Sequence, residues 1–127
     1  RVIAITQLTA TSPEALKTEQ LIEVPLAESV RNYAKLAQSA GLAGVVCSAH
    51  EAADIASVTG SGFLRVTPGI RPAGAVVGDQ SRVATPGNAA SMGSSAVVVG
   101  RPITKADDPV AAYHAIRDEW NAGRTAA

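Results

Sequence analysis

The chain of 127 residues lacks an excess of charge of either sign, aromatic residues, paired cysteines and long apolar runs. Eleven basic residues balance eleven acidic ones and are scattered along the chain, which argues against a nucleic-acid-binding protein. Aromatic residues make up only 3%, too few for a base-stacking surface. The single cysteine excludes an internal disulfide, and no apolar run approaches the ~20 residues of a membrane span. Because no signal peptide is present either, we expect a cytoplasmic protein with no membrane partner.

Hydrophobic residues, at 46%, suffice for one domain with a sizeable core. Four short apolar runs are continuous rather than alternating, which is typical of parallel strands covered on both faces. These runs are Val2–Thr6, Gly44–Cys47, Phe63–Val66 and Ala96–Val99. The sequence therefore predicts four buried strands.

Helical patterns lie between the strands, and polar residues mark where the helices begin. Predicted starts are Ser12-Pro13, the capping-box spacing from Ser48 to Glu51, Thr85-Pro86 and Asp108-Pro109. A further helix is predicted from Ser29 to Ala40. The last helix places an apolar stripe on one face, formed by Val110, Tyr113, Ile116 and Trp120. We expect a folded unit over residues 1–120 and a flexible tail over 121–127.

A strand followed by a helix, repeated four times, requires parallel pairing and right-handed crossovers. Four such units make half of an eight-unit barrel, which typically needs ~250 residues. An open four-stranded sheet would leave one apolar face uncovered. We therefore predict a half-barrel completed by another chain, by a missing half or by a second copy, and the spacing does not choose among them. The chain begins at Arg1 and enters a strand at once, which also suggests the middle of something longer.

The last apolar run ends at Gly100-Arg101, close in sequence to a Gly/Pro-rich loop that carries Arg71, Asp79 and Gln80. Glycine lets backbone N–H groups approach a ligand, and arginine offers a planar set of donors that matches phosphate oxygens. This arrangement predicts an anion site, most simply for a phosphate. Asp79 is expected to cap the loop backbone rather than to act as an acid or base.

Other reactive side chains favour structural roles. Cys47 lies in an apolar run and is expected to be a small buried filler rather than a nucleophile. No Cys/His/Asp spacing indicates a metal site or a catalytic triad, with His50 and His114 both on predicted helices. Asp107 and Asp108 are expected to cap the last helix. Neither a metal nor a cofactor is predicted. Arg82 either holds the neighbouring loop in place or faces solvent.

Five blocks of the sequence resemble, in order, the C-terminal half of the bacterial orotidine 5′-phosphate decarboxylase family. They are IAITQLT, GLAGVVCSAHEA, VTPGIRPAG, GDQSRVATP and VVVGRPITKADDP, and the resemblance spans Val2 to Trp120. It implies a (β/α)₈ barrel of which this chain forms strands and helices five to eight. It also implies conversion of orotidine 5′-phosphate to uridine 5′-phosphate and CO₂, the last step of de novo pyrimidine synthesis, in an enzyme that usually forms homodimers.

The same resemblance assigns substrate contacts to individual residues. Gln80 and Arg101 would hold the substrate phosphate, together with the N–H of Gly100. Arg71 matches a further substrate-binding arginine, and Thr9 matches a substrate-contacting threonine after the fifth strand. The segment Pro72–Gly78 would be a mobile lid.

Two departures from the family pattern are visible. The family usually has Leu-Thr-Ser where this chain has Leu8-Thr9-Ala10, and that serine contacts the pyrimidine ring. The Asp-x-Lys-x-x-Asp segment that carries the family's catalytic residues is absent, and Lys17, Lys35 and Lys105 lack that context. We therefore assign no catalytic residue to this chain and expect it to be inactive without an N-terminal half.

Two alternatives stay open. The chain could be a half-barrel that associates with itself and binds nucleotide monophosphates without chemistry. It could also be a relative that decarboxylates a sugar phosphate, although the GDQ and GRPIT blocks disfavour that interpretation.

Overall fold

A computed structural model describes residues 1–75 and 82–126 of the chain. Within this part, four strands form one parallel sheet in the order β1-β2-β3-β4. The strands are β1 (Ile3–Ile5), β2 (Gly44–Val46), β3 (Leu64–Thr67) and β4 (Ala96–Val97). All four predicted strands and their parallel pairing are confirmed, although β4 ends before the predicted Val99.

Helices connect the strands in the predicted alternation. They are α1 (Pro13–Thr18), α2 (Leu26–Ser39), α3 (Ala52–Thr59), α4 (Pro86–Ser91), α5 (Arg101–Thr104) and α6 (Pro109–Thr125). A 3-10 turn, Ala49–Glu51, leads directly into α3. No helix of the described part is both long and apolar enough to span a membrane.

Side-chain caps confirm the four predicted helix starts. Ser12, Thr85 and Asp108 each accept a hydrogen bond from the backbone N–H three residues further on, at 3.1, 3.2 and 3.0 Å. Ser48 and Glu51 form a reciprocal capping box, in which each side chain bonds the backbone of the other. Since such caps satisfy N–H groups that have no partner within the helix, the local sequence determines where these helices begin.

Two helix boundaries differ from the prediction, and one helix was not predicted at all. Helix α2 begins at Leu26, directly after Pro25, rather than at Ser29. Helix α5 was not predicted. Helix α6 continues to Thr125, so residues 121–125 are helical where a tail was expected. This last turn contains Gly123, which lies against the backbone of Gly87 in α4, so the packing of the helix continues beyond the predicted end.

The core lies between the sheet and the helices. One cluster joins β2 to α2 and α3 and contains Val30, Ala34, Ala37, Val45, Cys47, Ile55 and Phe63. A second cluster lies around α4 and contains Ala49, Ile70, Ala84 and Ala89, with Val97 and Trp120 packed against it. The buried positions therefore belong to the face of the sheet that the helices cover.

The opposite face of the sheet is open. Ile5, Val46, Val66 and Ala96 are register partners across the four strands and share this face. Ile5 is 57% exposed, whereas Val45, on the covered face, is completely buried. The prediction that the strands are covered on both faces therefore fails for this chain. The predicted half-barrel with one uncovered apolar face is what the structure contains.

Candidate functional site

Most of the predicted substrate-contacting residues follow the strands of the sheet. Thr9 comes after β1, Arg71 after β3, and Gly100 with Arg101 after β4. Because the four strands are parallel, their carboxyl ends meet at one edge of the sheet. In barrels of this kind that edge carries the functional groups. The topology thus places all four residues along a single edge.

Three predictions concern residues that the structure does not describe. Gln80, the other predicted phosphate ligand, and Asp79 belong to residues 76–81, outside the described part of the chain. The predicted lid, Pro72–Gly78, is described only as far as Ala75. These predictions stay predictions.

Thr9 lies in a tight turn that follows β1. The N–H of Thr11 donates to the carbonyl oxygen of Leu8 at 2.9 Å and closes this turn, which we call the Thr9 turn (residues 8–11). Thr9 itself is 6% exposed. Just before the turn, the Gln7 side chain exchanges hydrogen bonds with Gln20, both at 3.1 Å. Since Gln20 lies just after α1, these bonds hold the chain before the Thr9 turn next to the end of α1.

Arg71 follows β3, and the residue before it, Ile70, pairs with Ala84. Gly69 has a φ of 73°, a left-handed conformation that suits glycine, and it turns the chain out of the strand. The N–H of Arg71 donates to the carbonyl of Ala84 at 3.0 Å, and the N–H of Ala84 donates to Gly69 at 3.3 Å. The guanidinium donates to the carbonyl of Ile70 at 2.8 Å. The backbone of Arg71 is thus fixed by residue 84.

Gly100 and Arg101 stand at the start of α5 rather than at the end of a strand. The carbonyl of Gly100 accepts the N–H groups of Ile103 and Thr104 at 2.9 and 3.0 Å, which closes the first turn of the helix. Arg101 is exposed. Among the described residues, a Cβ at Gly100 would meet no heavy atom within 4 Å. The space on the Cβ side of Gly100 is therefore open.

Glu51 and Arg82 form a buried ion pair. One carboxylate oxygen of Glu51 accepts the N–H of Ser48 at 2.9 Å, and the other contacts the Arg82 guanidinium. Arg82 also donates to the carbonyl of Leu8 at 2.7 Å. Of the two roles considered for Arg82, the structure supports holding a loop in place. The sequence revealed the capping role of Glu51 but not its pairing with Arg82.

His50 has a structural partner. Its Nε2 lies 3.0 Å from the carbonyl oxygen of Val83, and since a carbonyl can only accept, Nε2 is the donor. His114 lies on α6, where its ring forms an edge-to-face contact with Tyr113. No group of three potential metal-ligating side chains occurs in the described ranges.

The lysines and the cysteine of the chain show no catalytic environment in the described residues. Lys17 lies in the last turn of α1, Lys35 lies within α2, and Lys105 follows α5, and all three are exposed. Cys47 is completely buried, and burial raises its pKa to about 11 against the opposing effects of Arg65, a hydrogen bond from Thr67, and Arg82. A thiol with such a pKa is protonated at neutral pH, which agrees with the predicted filler role.

An apolar cavity of about 280 Å³ lies between β4 and α6. Val97, Ile116 and Trp120 contribute to its lining. Val97 packs with the helical layer, so this cavity is on the covered side of the sheet. Its lining also includes Val99 and Ile103, which flank Gly100 and Arg101, so one end of the cavity lies next to that segment.

The four parallel strand–helix units, with polar residues gathered at the carboxyl edge, define half of a (β/α)₈ barrel. The model of the orotidine 5′-phosphate decarboxylase / HUMPS family matches residues 1–116. The chain belongs to this family.

Individual relatives agree with that assignment. The chain is 90% identical over 126 residues to orotidine 5′-phosphate decarboxylase of Cutibacterium acnes, covering 99% of this chain and 53% of that protein. It is 56% identical over 121 residues to the enzyme of Streptococcus mutans, covering 95% and 53%. The crystal structure of the Lactobacillus acidophilus enzyme matches with a TM-score of 0.79 and 46% identity, covering 95% of this chain and 49% of that one. The chain thus spans about half the length of the relatives it matches.

Proposed function

We propose that this chain is the phosphate-binding half of an orotidine 5′-phosphate decarboxylase. The placement of Thr9, Arg71, Gly100 and Arg101 along one carboxyl edge carries the proposal, because these are the residues that the family resemblance assigns to the substrate. Two curated relatives that share 90% and 56% identity with the chain bear that enzyme's name. The chain supplies binding, and an N-terminal half supplies the chemistry.

The phosphate site would be formed by arginine side chains and a backbone amide. The guanidinium of Arg101 and the N–H of Gly100 bind phosphate oxygens, with Gln80 as a further ligand and Arg71 beside them. Charge-assisted bonds of this type are roughly twice as strong as neutral ones. The open space on the Cβ side of Gly100 leaves room for the phosphate to approach its backbone.

The reaction breaks the bond between C6 of the pyrimidine and its carboxylate. The electron pair stays on C6 as CO₂ leaves, and a lysine ammonium of the N-terminal half delivers the proton that C6 receives. The chain lacks the Asp-x-Lys-x-x-Asp segment, and its three lysines lie in α1, in α2 and directly after α5, which supports placing that group elsewhere. Phosphate binding far from C6 contributes to turnover by holding the ring in its reactive position.

The N-terminal half is expected to cover the open face of the sheet. Ile5 and Val98 are exposed on that face by 57% and 53%, and both are large apolar side chains. Covering a side chain of this size stabilises by roughly 1.5–3 kcal/mol. The complete barrel would then form a homodimer.

Reconstitution from two chains tests this proposal. The partner would be the part of the Cutibacterium acnes protein that this chain does not match, since the matched part is 90% identical. We expect neither chain alone to convert orotidine 5′-phosphate, and the mixture to form uridine 5′-phosphate and CO₂. Turnover by this chain alone would contradict the assignment of the chemistry to the other half. An inactive complex of the two chains would contradict the proposal as a whole.

A binding-only half-barrel is the second candidate. It is favoured by the open apolar face together with the lack of an Asp-x-Lys-x-x-Asp segment in the sequence. Sedimentation of the purified chain distinguishes the two candidates. A stable self-dimer that binds uridine 5′-phosphate and gains no activity with the N-terminal half would favour the second.

A further inference from the structure

The Glu51–Arg82 pair joins two segments that are far apart in sequence. The two side chains are only 9% and 16% exposed. Arg82 uses one terminal nitrogen for Glu51 and the other, Nη2, for the carbonyl oxygen of Leu8 at 2.7 Å. That carbonyl also accepts the N–H of Thr11 and closes the Thr9 turn. Arg82 is thus bonded directly to the backbone of the turn that presents Thr9.

The residues after Arg82 are tied to Arg71. The imidazole of His50 holds the carbonyl of Val83 at 3.0 Å. Ala84 pairs with Ile70, and its carbonyl accepts the N–H of Arg71 at 3.0 Å. One short segment, residues 82–84, therefore contacts the Thr9 turn at its first residue and the Arg71 backbone at its last.

The 3-10 turn Ala49–Glu51 holds residues 82–84 in place through two of its side chains. Glu51 contacts Arg82 with one oxygen and accepts the N–H of Ser48 with the other. The carboxylate is therefore fixed at the start of α3 and cannot follow Arg82 if the loop shifts. His50, its neighbour in the same turn, holds the next residue of the segment. Two consecutive side chains of the turn, His50 and Glu51, thus bind two consecutive residues, Val83 and Arg82.

We propose that the Glu51–Arg82 pair is a positioning device that keeps Thr9 and Arg71 in one fixed arrangement for the substrate. This inference rests on the proposed function, since it takes Thr9 and Arg71 to be substrate contacts. Arg82 acts through the Leu8 carbonyl and Glu51 acts through Arg82.

The energetics agree with a positioning role. Burial of an ion pair contributes little net stability, because desolvation offsets the attraction between the charges. Burial lowers the pKa of the Arg82 guanidinium, and its buried Nε has no hydrogen-bond partner in the described part of the chain. An apolar pair could fill the same space at lower cost. The guanidinium uses two separate terminal nitrogens for the carboxylate and the Leu8 carbonyl, whereas a lysine would have to serve both acceptors from a single nitrogen.

A double-mutant cycle between Arg82 and Thr9 tests the inference in the complete, two-half protein. Binding of uridine 5′-phosphate is measured by calorimetry for the unsubstituted protein, R82M, T9V and the double variant. If Arg82 acts through the Thr9 turn, each single variant weakens binding about tenfold, and the double variant weakens it about tenfold rather than a hundredfold. Multiplicative losses, or an unchanged affinity in R82M, would overturn the inference.

Two further variants separate positioning from general stability. R31M makes the same change at an exposed ion pair, Arg31 with Asp54 at 3.3 Å, and should leave the affinity within about twofold of the unsubstituted protein. R82K keeps the charge but loses the second contact, so it should resemble R82M. Restoration of the affinity by R82K would overturn the requirement for two simultaneous contacts.

Hydrogen exchange gives a readout that does not depend on any ligand. In R82M and Glu51→Gln, the amide of Thr11 should exchange faster while the amides of α2 keep their protection. Unchanged exchange at Thr11 would overturn the inference even if binding fell. A lack of uridine 5′-phosphate binding by the unsubstituted protein would instead overturn the proposed function, and it would be seen before any variant is compared.

Discussion

Gly123 of α6 lies in backbone contact with Gly87 of α4. A Cβ built on Gly123 would come within 2.2 Å of the Gly87 carbonyl oxygen and within 2.6 Å of its Cα. Real Cβ atoms do not approach backbone this closely, so the two helices can cross here only because residue 123 is glycine. A Cβ on Gly87 would be less restricted, since it would meet the Glu119 carbonyl oxygen at 3.3 Å. The contact fixes α6, the final helix, on α4.

Gly123→Ala should therefore destabilise the protein. Alanine is the better helix former, so an exposed glycine-to-alanine change within a helix would stabilise by about 0.5–1 kcal/mol. Here the added methyl group meets rigid backbone, and we expect a net loss of about 1–3 kcal/mol in the free energy of unfolding. Urea denaturation measures the change. Gly62→Ala is the control, since a Cβ there meets nothing within 4 Å of the described residues. Equal effects of the two changes would contradict the close crossing.

Arg101→Ala should weaken substrate binding strongly in the reconstituted enzyme. Loss of a charge-assisted bond to phosphate costs about 1.5–3 kcal/mol, which corresponds to a Michaelis constant raised about ten- to a hundredfold. Steady-state kinetics measure this constant. Arg117→Ala is the control, because Arg117 is 47% exposed and pairs with its neighbour Asp118 on α6.

Rescue by small ions sharpens the test of Arg101. Free guanidinium should restore part of the activity of Arg101→Ala and none of the activity of a protein damaged elsewhere. An unchanged Michaelis constant in Arg101→Ala would remove this residue from the phosphate site.

Ala10→Ser should strengthen base recognition. Ala10 is exposed in the Thr9 turn, at the position where the family resemblance implies a serine that contacts the pyrimidine ring. One added hydrogen bond contributes about 0.5–1.5 kcal/mol, so affinity for uridine 5′-phosphate should rise about two- to tenfold. Calorimetry measures it, with Ala53→Ser on the exposed side of α3 as the control. Equal affinities of Ala10→Ser and the parent would mean that position 10 does not contact the ring.

Cys47 should make stability fall between pH 9 and pH 11. The pKa of the buried thiol is raised from 9.0 to about 11, so the unfolded chain loses this proton at lower pH than the folded one. Where only the unfolded chain is deprotonated, the free energy of unfolding falls by about 1.4 kcal/mol per pH unit. Comparison with Cys47→Ala isolates this contribution from that of other groups. The variant should show the shallower decline, and identical slopes would contradict a raised pKa.

Much of the fold could be predicted because its signals are local. A cap such as Thr85 followed by Pro86 satisfies its own helix, and no distant residue is needed to recognise it. Helix α5 was missed since Gly100-Arg101-Pro102 carries no side-chain cap and follows an apolar run directly. The end of α6 was missed because residues 121–127 are small and mostly polar, whereas the contact that packs this turn on α4 needs a small residue, Gly123.

The candidate site also has a part that could be predicted from the sequence and a part that could not. Residues such as Arg71 stand immediately after strands, so chain order alone places them at the carboxyl edge. The Glu51–Arg82 pair could not be predicted, because Glu51 already had a local role in the capping box. Nothing in the sequence shows that Arg82 bonds Leu8, a residue 74 positions away. Tertiary packing alone brings these segments together.

The two outer strands are short, β1 with three residues and β4 with two. Each therefore offers few unpaired backbone groups to a passing chain, and short edges are one means by which proteins avoid edge-to-edge aggregation. An open sheet has two edges that a closed barrel lacks, so short outer strands limit the pairing groups that the four described strands expose. The shortness of β1 and β4 therefore disfavours edge-to-edge pairing between copies of this sheet.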